Sequence, residues 1–123
     1  MSLLLDTHAI LWLATGDPKL PASVREQITT HPGDLVVSVV SAWEYSAKRG
    51  KFPDQLRKPF AALLLPEYRR LDLEFETHAH AEQLPPIHRD PFDRMLIAQA
   101  LDLALTLVTA DRTIRSYPVP TLW

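Results

Sequence analysis

At 123 residues the chain is the length of one domain, 1–123, long enough to bury roughly two-thirds of the surface that its unfolded form exposes. Hydrophobic residues at 46% and charged residues at 23% exclude a disordered or fibrous protein, and 13 Lys and Arg against 15 Asp and Glu exclude one that coats nucleic acid by bulk positive charge. The absence of cysteine rules out disulfides and thiolate zinc sites, no apolar run approaches the roughly 18 residues of a membrane span, and Asp6 comes too early for a signal peptide; a soluble protein of a reducing cytoplasm is expected.

Leu3, Leu4 and Leu5 form a short apolar run ending at Asp6, the pattern of a strand buried on both faces. A helix follows at once through Ile10–Leu13, stopped by Thr15-Gly16-Asp17-Pro18. An amphipathic helix is predicted over Ala22–Thr29 and a second buried strand over Leu35–Val37. Ser38–Lys48 reads as a helix with Val39, Val40, Trp43 and Ala47 on one side and Gly50 as its stop. Prolines 53, 59 and 66 punctuate the next stretch, leaving room for one helix around Pro59–Leu65. A strand over Arg70–Leu73 and a helix over Thr77–Gln83 follow, and then Asp90-Pro91, an N-cap with proline at the first helical position. Thr106–Thr109 is a β-type run, Asp111–Ser116 a turn or short helix, and Val119–Leu122 a last strand. Strands alternating with helices make this an α/β domain with a mostly parallel sheet.

In such a sheet ligands bind beyond the carboxyl ends of the strands, and acids stand there. Asp6 closes the first strand and Asp111 lies just past Thr109, although Asp is also a favoured cap and turn residue. Glu44 lies one and a half turns into the helix that leaves the second strand, where Ser41-Ala42-Trp43-Glu44 also fits a capping box. Asp93 is the anomaly. On a helix starting near Pro91, residues 93, 96, 97, 100, 101 and 104 share a face and read Asp, Leu, Ile, Ala, Leu, Ala, so a carboxylate heads the buried stripe. Burying it costs several kcal/mol unless it is paired, protonated or bound to a cation, and a helix dipole returns only about 0.3–1 kcal/mol. Clustered carboxylates stay ionised together only around a divalent cation, and all-oxygen ligands favour Mg²⁺ or Mn²⁺ over zinc. Such a metal polarises a phosphoryl oxygen and lowers the pKa of a water, the requirements for phosphodiester hydrolysis.

The blocks Leu-Leu-Leu-Asp-Thr-His-Ala, Ser-Ala-Trp-Glu, Arg-Asp-Pro-Phe-Asp-Arg-Met-Leu-Ile-Ala-Gln-Ala and Leu-Val-Thr-Ala-Asp-Arg, in this order and spacing, resemble the PIN-domain family, in particular the VapC-like toxins of bacterial toxin–antitoxin pairs. The resemblance runs from Leu3 to about Val119. It implies a three-layer α/β/α fold around a central sheet, single-strand endoribonuclease activity, a site of Asp6, Glu44, Asp93 and Asp111 binding Mg²⁺ or Mn²⁺, a homodimer, and inhibition by a cognate antitoxin. Asp93, seven residues before Ala100, holds the family's third acidic position, and Asp90 is read as the cap of the same helix.

Around these acids, Thr7 and Thr109 could hold a carboxylate or a water, or bond only to nearby backbone. Arg89, Arg94, Arg112 and Arg115 are candidates for RNA phosphate, with Lys48, Arg49 and Lys51 as a second group. His8 is expected at the rim or on the substrate, and His78, His80 and His88, which lack a zinc spacing, on the surface. Trp12 and Trp43 lie on helices near the acids and suit packing or base stacking. The alternative to a nuclease is a catalytically silent binding module of the same fold, whose signature would be a missing acid; none is missing. A phosphotransfer receiver domain is excluded, because it needs paired acids after the first strand and a Lys where Ala110-Asp111 stands.

Overall fold

A computed structural model describes residues 2–52 and 57–123. Pro53 therefore lies outside the described residues. Ten elements follow in chain order: β1 (Leu3–Leu5), α1 (Thr7–Thr15), α2 (Ala22–Thr29), β2 (Leu35–Ser38), α3 (Val39–Ala47), β3 (Arg69–Leu71), α4 (Phe75–Gln83), α5 (Pro91–Asp102), β4 (Thr106–Val108) and β5 (Thr121–Leu122). The strands form one sheet in the order β3-β2-β1-β4-β5, and every pairing is parallel.

Alternation along the strands builds two cores from one sheet. Leu4 stands beside Val36 and Leu107, and these three face Leu96, Ile97 and Ala100 of α5. Their neighbours Leu5, Val37 and Val108 point the other way, onto Ala9, Ile10 and Leu11 of α1 and Val24 and Ile28 of α2. The sheet is thus covered on both faces, which is why its central strands read as unbroken apolar runs.

Helix starts and stops largely follow local chemistry. Asp6 caps α1 through its Ala9 N–H contact, and α1 ends on Gly16 at φ 66, a left-handed position in which a side chain is strained. Asp90 caps α5 by accepting from the Phe92 and Asp93 backbone N–H groups, with Pro91 as the first helical residue.

Several sequence expectations are corrected. Ser38, not Ser41, caps α3 by accepting from Val40 N at 3.0 Å, so no capping box joins Ser41 to Glu44. The expected apolar side of α3 is divided: Val39 and Trp43 are 45% and 61% exposed, whereas Val40, Ser41, Glu44 and Tyr45 are buried. The helix leaves β2 between the two cores, and its polar inward residues find partners on α1. Gly50 does not end it, since α3 stops at Ala47 and Gly50 sits in a following 3-10 turn. Around Pro59–Leu65 only a 3-10 turn forms, over Phe60–Leu63. The third strand begins at Arg69 and ends at Leu71, and the last is confined to Thr121–Leu122. On α5, Leu101 is 37% exposed and Ala104 lies beyond the helix at φ 54, while Ala98 and Gln99 are buried instead. α5 packs against α4 and α3 as well as the sheet, and Gln99 is held inward by Ser38 and the Asp72 carbonyl.

Candidate metal centre

The carboxyl ends of β1, β2 and β4 lie side by side where the strand order reverses, so the residues after each strand meet above the sheet edge. Asp6 follows β1 and is buried; its carboxylate accepts the Ala9 N–H at 2.8 Å and a hydrogen bond from Thr109. Glu44, 3% exposed, projects from α3 towards α1, where Thr7 Oγ1 donates to its Oε1 at 2.5 Å. Thr7 Oγ1 also lies 3.0 Å from Ser41 Oγ. The neighbouring network is equally committed: Ser38 Oγ donates to Gln99 Oε1 at 2.5 Å, and Gln99 Nε2 donates to the Asp72 carbonyl at 3.2 Å. Among the described residues no buried side-chain polar atom lacks a partner, so the acids are aimed by fixed contacts.

Asp93 and Asp111 meet at His88, contrary to its expected place on the surface. The Asp90 backbone N–H donates to His88 Nδ1 at 3.1 Å, which leaves the proton on Nε2. That nitrogen lies 2.8 Å from Asp111 Oδ2 and 3.1 Å from Asp93 Oδ2. His88 is drawn inward because Tyr117 Oη accepts its backbone N–H at 2.7 Å. The clue in the sequence was its position two residues before the helix cap, close enough to share the acid end of α5.

Lys48 was expected among the phosphate contacts, yet its Nζ donates to Glu44 Oε2 at 2.6 Å and to Asp90 Oδ2 at 2.7 Å. Asp90 keeps its expected capping role through Oδ1 and holds Lys48 through Oδ2. The i,i+4 spacing of Glu44 and Lys48 was the available signal. Thr109 is fully buried and accepts the Asp111 N–H at 3.1 Å, so it positions acids and is closed to substrate. Arg94 is likewise engaged: its guanidinium donates to the carbonyls of Ala81, Leu84, Pro85 and His88 at 2.7–3.2 Å. Arg112 and His8 are exposed near the acids, and His8 lies 5.5 Å from the Trp12 ring. Arg89 and Arg115 are also exposed.

The electrostatics divide the acids into two kinds. Burial pushes Asp93 up to about 7, with the charges of Asp90 and Glu44 adding to the rise. Burial also lifts Asp6 to about 6 against the pull of the Thr109 and Ala9 hydrogen bonds. For Asp111 burial acts upward too, but the His88 hydrogen bond and the Thr113 N–H outweigh it and hold the carboxyl below its ordinary range. Asp90 is lowered in the same way, its burial outweighed by Lys48. Lys48 is raised above the ordinary lysine value because the two carboxylates outweigh its own burial.

Among the described residues, two sets of donors have their ligand atoms within 4.8 Å of one another: His88, Asp93 and Asp111, and Glu44, Asp90 and Asp93. Asp93 belongs to both. Carboxylates crowded enough to raise each other's pKa form a charge surplus that a divalent cation relieves, and hard oxygen donors suit Mg²⁺ or Mn²⁺. The donor set therefore fits a divalent metal.

The sequence pattern of the family described as "PIN domain" matches residues 3–120. Ribonuclease VapC22 of Mycobacterium tuberculosis is 30% identical over 129 residues, spanning 99% of this chain and 98% of that protein. VapBC2 from Rickettsia felis, solved bound to a DNA fragment from its promoter, has a TM-score of 0.75 at 14% identity over 99% of this chain and 98% of that one. DNA-bound VapBC from Salmonella typhimurium has a TM-score of 0.71 at 19% identity, covering 99% and 97%. At those identities the two structures speak to the fold.

Proposed function

This chain belongs to the PIN-domain family, and on that premise we propose that it is a ribonuclease dependent on Mg²⁺ or Mn²⁺, acting as the toxin of a toxin–antitoxin pair. The observation that carries the reading is the convergence of Asp6, Glu44, Asp93 and Asp111, from four separate elements of chain, at one edge of the sheet. The full-length relationship to a ribonuclease supports RNA as the substrate.

Asp93, Asp111 and Asp6 would hold the cation, with Glu44 beside them. Once bound, the metal supplies Lewis acidity towards a phosphodiester and makes a water easier to deprotonate. The chain's own residues prepare that chemistry. Thr7 and Thr109 orient Glu44 and Asp6, and His88 Nε2, hydrogen-bonded to Asp111 and 3.1 Å from Asp93, keeps those two carboxylates facing each other. Arg112 stands exposed at the rim, free of the backbone contacts that hold Arg94, and is the better placed of the two to meet phosphate.

The partners of this reading are RNA, a cognate antitoxin and a second copy of the chain. Trp43 and Val39 are exposed on α3, and Trp43 packs edge-on to Phe92 at 5.4 Å, an apolar surface of the kind that partners cover. Among the described residues no helix is long and apolar enough to cross a membrane. A cysteine-free chain suits a reducing cytoplasm.

The deciding experiment incubates purified, antitoxin-free protein with a mixed pool of single-stranded and structured RNA, in Mn²⁺ or EDTA, beside Asp6→Ala and Asp93→Asn. Cleavage that requires the metal and both acids is the expected result. Folded protein that cuts nothing under any condition would transfer the function to a non-catalytic binding module.

A further inference from the structure

The two donor sets that share Asp93 are not equivalent, because one of them already contains a cation. Lys48 Nζ sits between Glu44 Oε2 at 2.6 Å and Asp90 Oδ2 at 2.7 Å, while the Phe92 ring lies beneath it at 5.3 Å. Two elements fix this ammonium: Lys48 directly follows α3, while Asp90 caps α5 and Phe92 lies in the first turn of that helix. Both carboxylates are themselves anchored, Glu44 by Thr7 and Asp90 by the backbone N–H groups that it caps. A divalent ion entering here would have to break two short charge-assisted hydrogen bonds and expel a lysine charge from the pocket.

At the other end the partner is the His88 imidazole N–H, bonded to Asp111 at 2.8 Å with Asp93 3.1 Å away, and Asp6 adds its negative charge to the field at Asp93. This is the weaker contact to displace, and it involves two of the family-position acids. From this contrast the geometry points to Lys48 as a built-in second cation: it fills the Glu44–Asp90 side of the centre and leaves one divalent-metal position, at Asp93 and Asp111.

The inference rests on reading the centre as a metal site, and it adds the metal stoichiometry and the residue that sets it. Lys48 acts as a positioning residue. Its charge offsets part of the repulsion that Glu44 and Asp90 exert on Asp93 while the metal is absent, and excludes a second metal while it is present. Removing the charge would leave three facing carboxylates without a cation, the condition that recruits another divalent ion.

Titration calorimetry with Mn²⁺ on the full chain tests this directly, with circular dichroism confirming that each variant is folded. The wild type is expected to bind about one Mn²⁺ per chain, Lys48→Met about two, and Lys48→Arg about one, since only the charge need be kept. Two ions bound by the wild type would overturn the inference whether or not any variant folds. One ion bound by folded Lys48→Met would overturn it as well. If the wild type binds no Mn²⁺ up to millimolar concentration, the metal-centre reading fails and the inference falls with it; binding at the wrong stoichiometry defeats the inference alone.

Discussion

Asp93 is the residue at which burial, charge and function oppose one another most strongly. At neutral pH without metal its carboxylate is held near Asp90 and Glu44 in a site that favours the protonated form. Asp93→Asn is therefore expected to reduce RNA cleavage by about a thousandfold or more while leaving the metal-free melting temperature at pH 7.5 unchanged or raised. A strongly lowered melting temperature would show that the carboxylate is needed for the fold. The same shifts set a pH dependence. Asp6 and Asp93 titrate near 6 and 7 in the folded chain against an ordinary 3.8, so between those values the folded state carries more protons than the unfolded one. Stability of the metal-free protein must then fall as pH rises through about 4 to 7. Asp90 and Asp111, both lowered, work in the opposite sense: their contribution is present above the ordinary carboxylate value and disappears as pH falls through their folded values. A thermal scan in EDTA should place the highest melting temperature near about pH 4–5, with a loss of about 5 °C by pH 7.5. A metal-free stability that rises steadily across that range would contradict the raised values.

Among the elements, the segment between α4 and α5 depends most on a single side chain. Arg94 gathers the carbonyls of Ala81, Leu84, Pro85 and His88 and lies 3.4 Å from Tyr117 Oη, which itself donates to the Pro85 carbonyl at 2.7 Å. The planar fork matches four acceptors that an ammonium cannot reach together. Arg94→Ala should destabilise the protein by about 2–4 kcal/mol in urea unfolding, and Arg94→Lys should recover little of it. Because His88 is carried on that segment, cleavage should fall as well, through misplacement of Asp93 and Asp111. RNA affinity, measured with the inactive Asp93→Asn background, should change little; a large loss would return Arg94 to the phosphate contacts.

For the whole molecule, the reversal of strand order at β1 is what creates the site. The ends of β1, β2 and β4 become neighbours only because β2 and β4 pair with opposite edges of β1. A metal bound where those ends meet ties the sheet and α5 together. Millimolar Mn²⁺ should therefore raise the melting temperature, by the equivalent of about 2.7 kcal/mol when free metal is a hundred times its Kd, and Asp6→Ala should suppress most of the shift. An unchanged melting temperature in wild-type protein at saturating Mn²⁺ would contradict a preformed centre.

Local sequence was sufficient wherever one short interaction decides the outcome. The triple leucine run, Gly16 after α1, Asp90-Pro91 before α5, and the carboxylate at the head of the α5 stripe are all readable because caps, turns and hydrophobic periodicity act within a few residues. The four acids were legible for the same reason: three lie at strand or helix ends, and the fourth lies in a motif that the family resemblance aligns. What only the tertiary structure decided was partnership. Lys48 meeting Asp90 across 42 residues, His88 meeting Asp111 across 23, and the rotation of α3 that exposes Trp43 while burying Glu44 all depend on which element packs against which. A side chain's charge and periodicity show what it can bind, but the long-range packing of the sheet and its helices selects the group it actually meets.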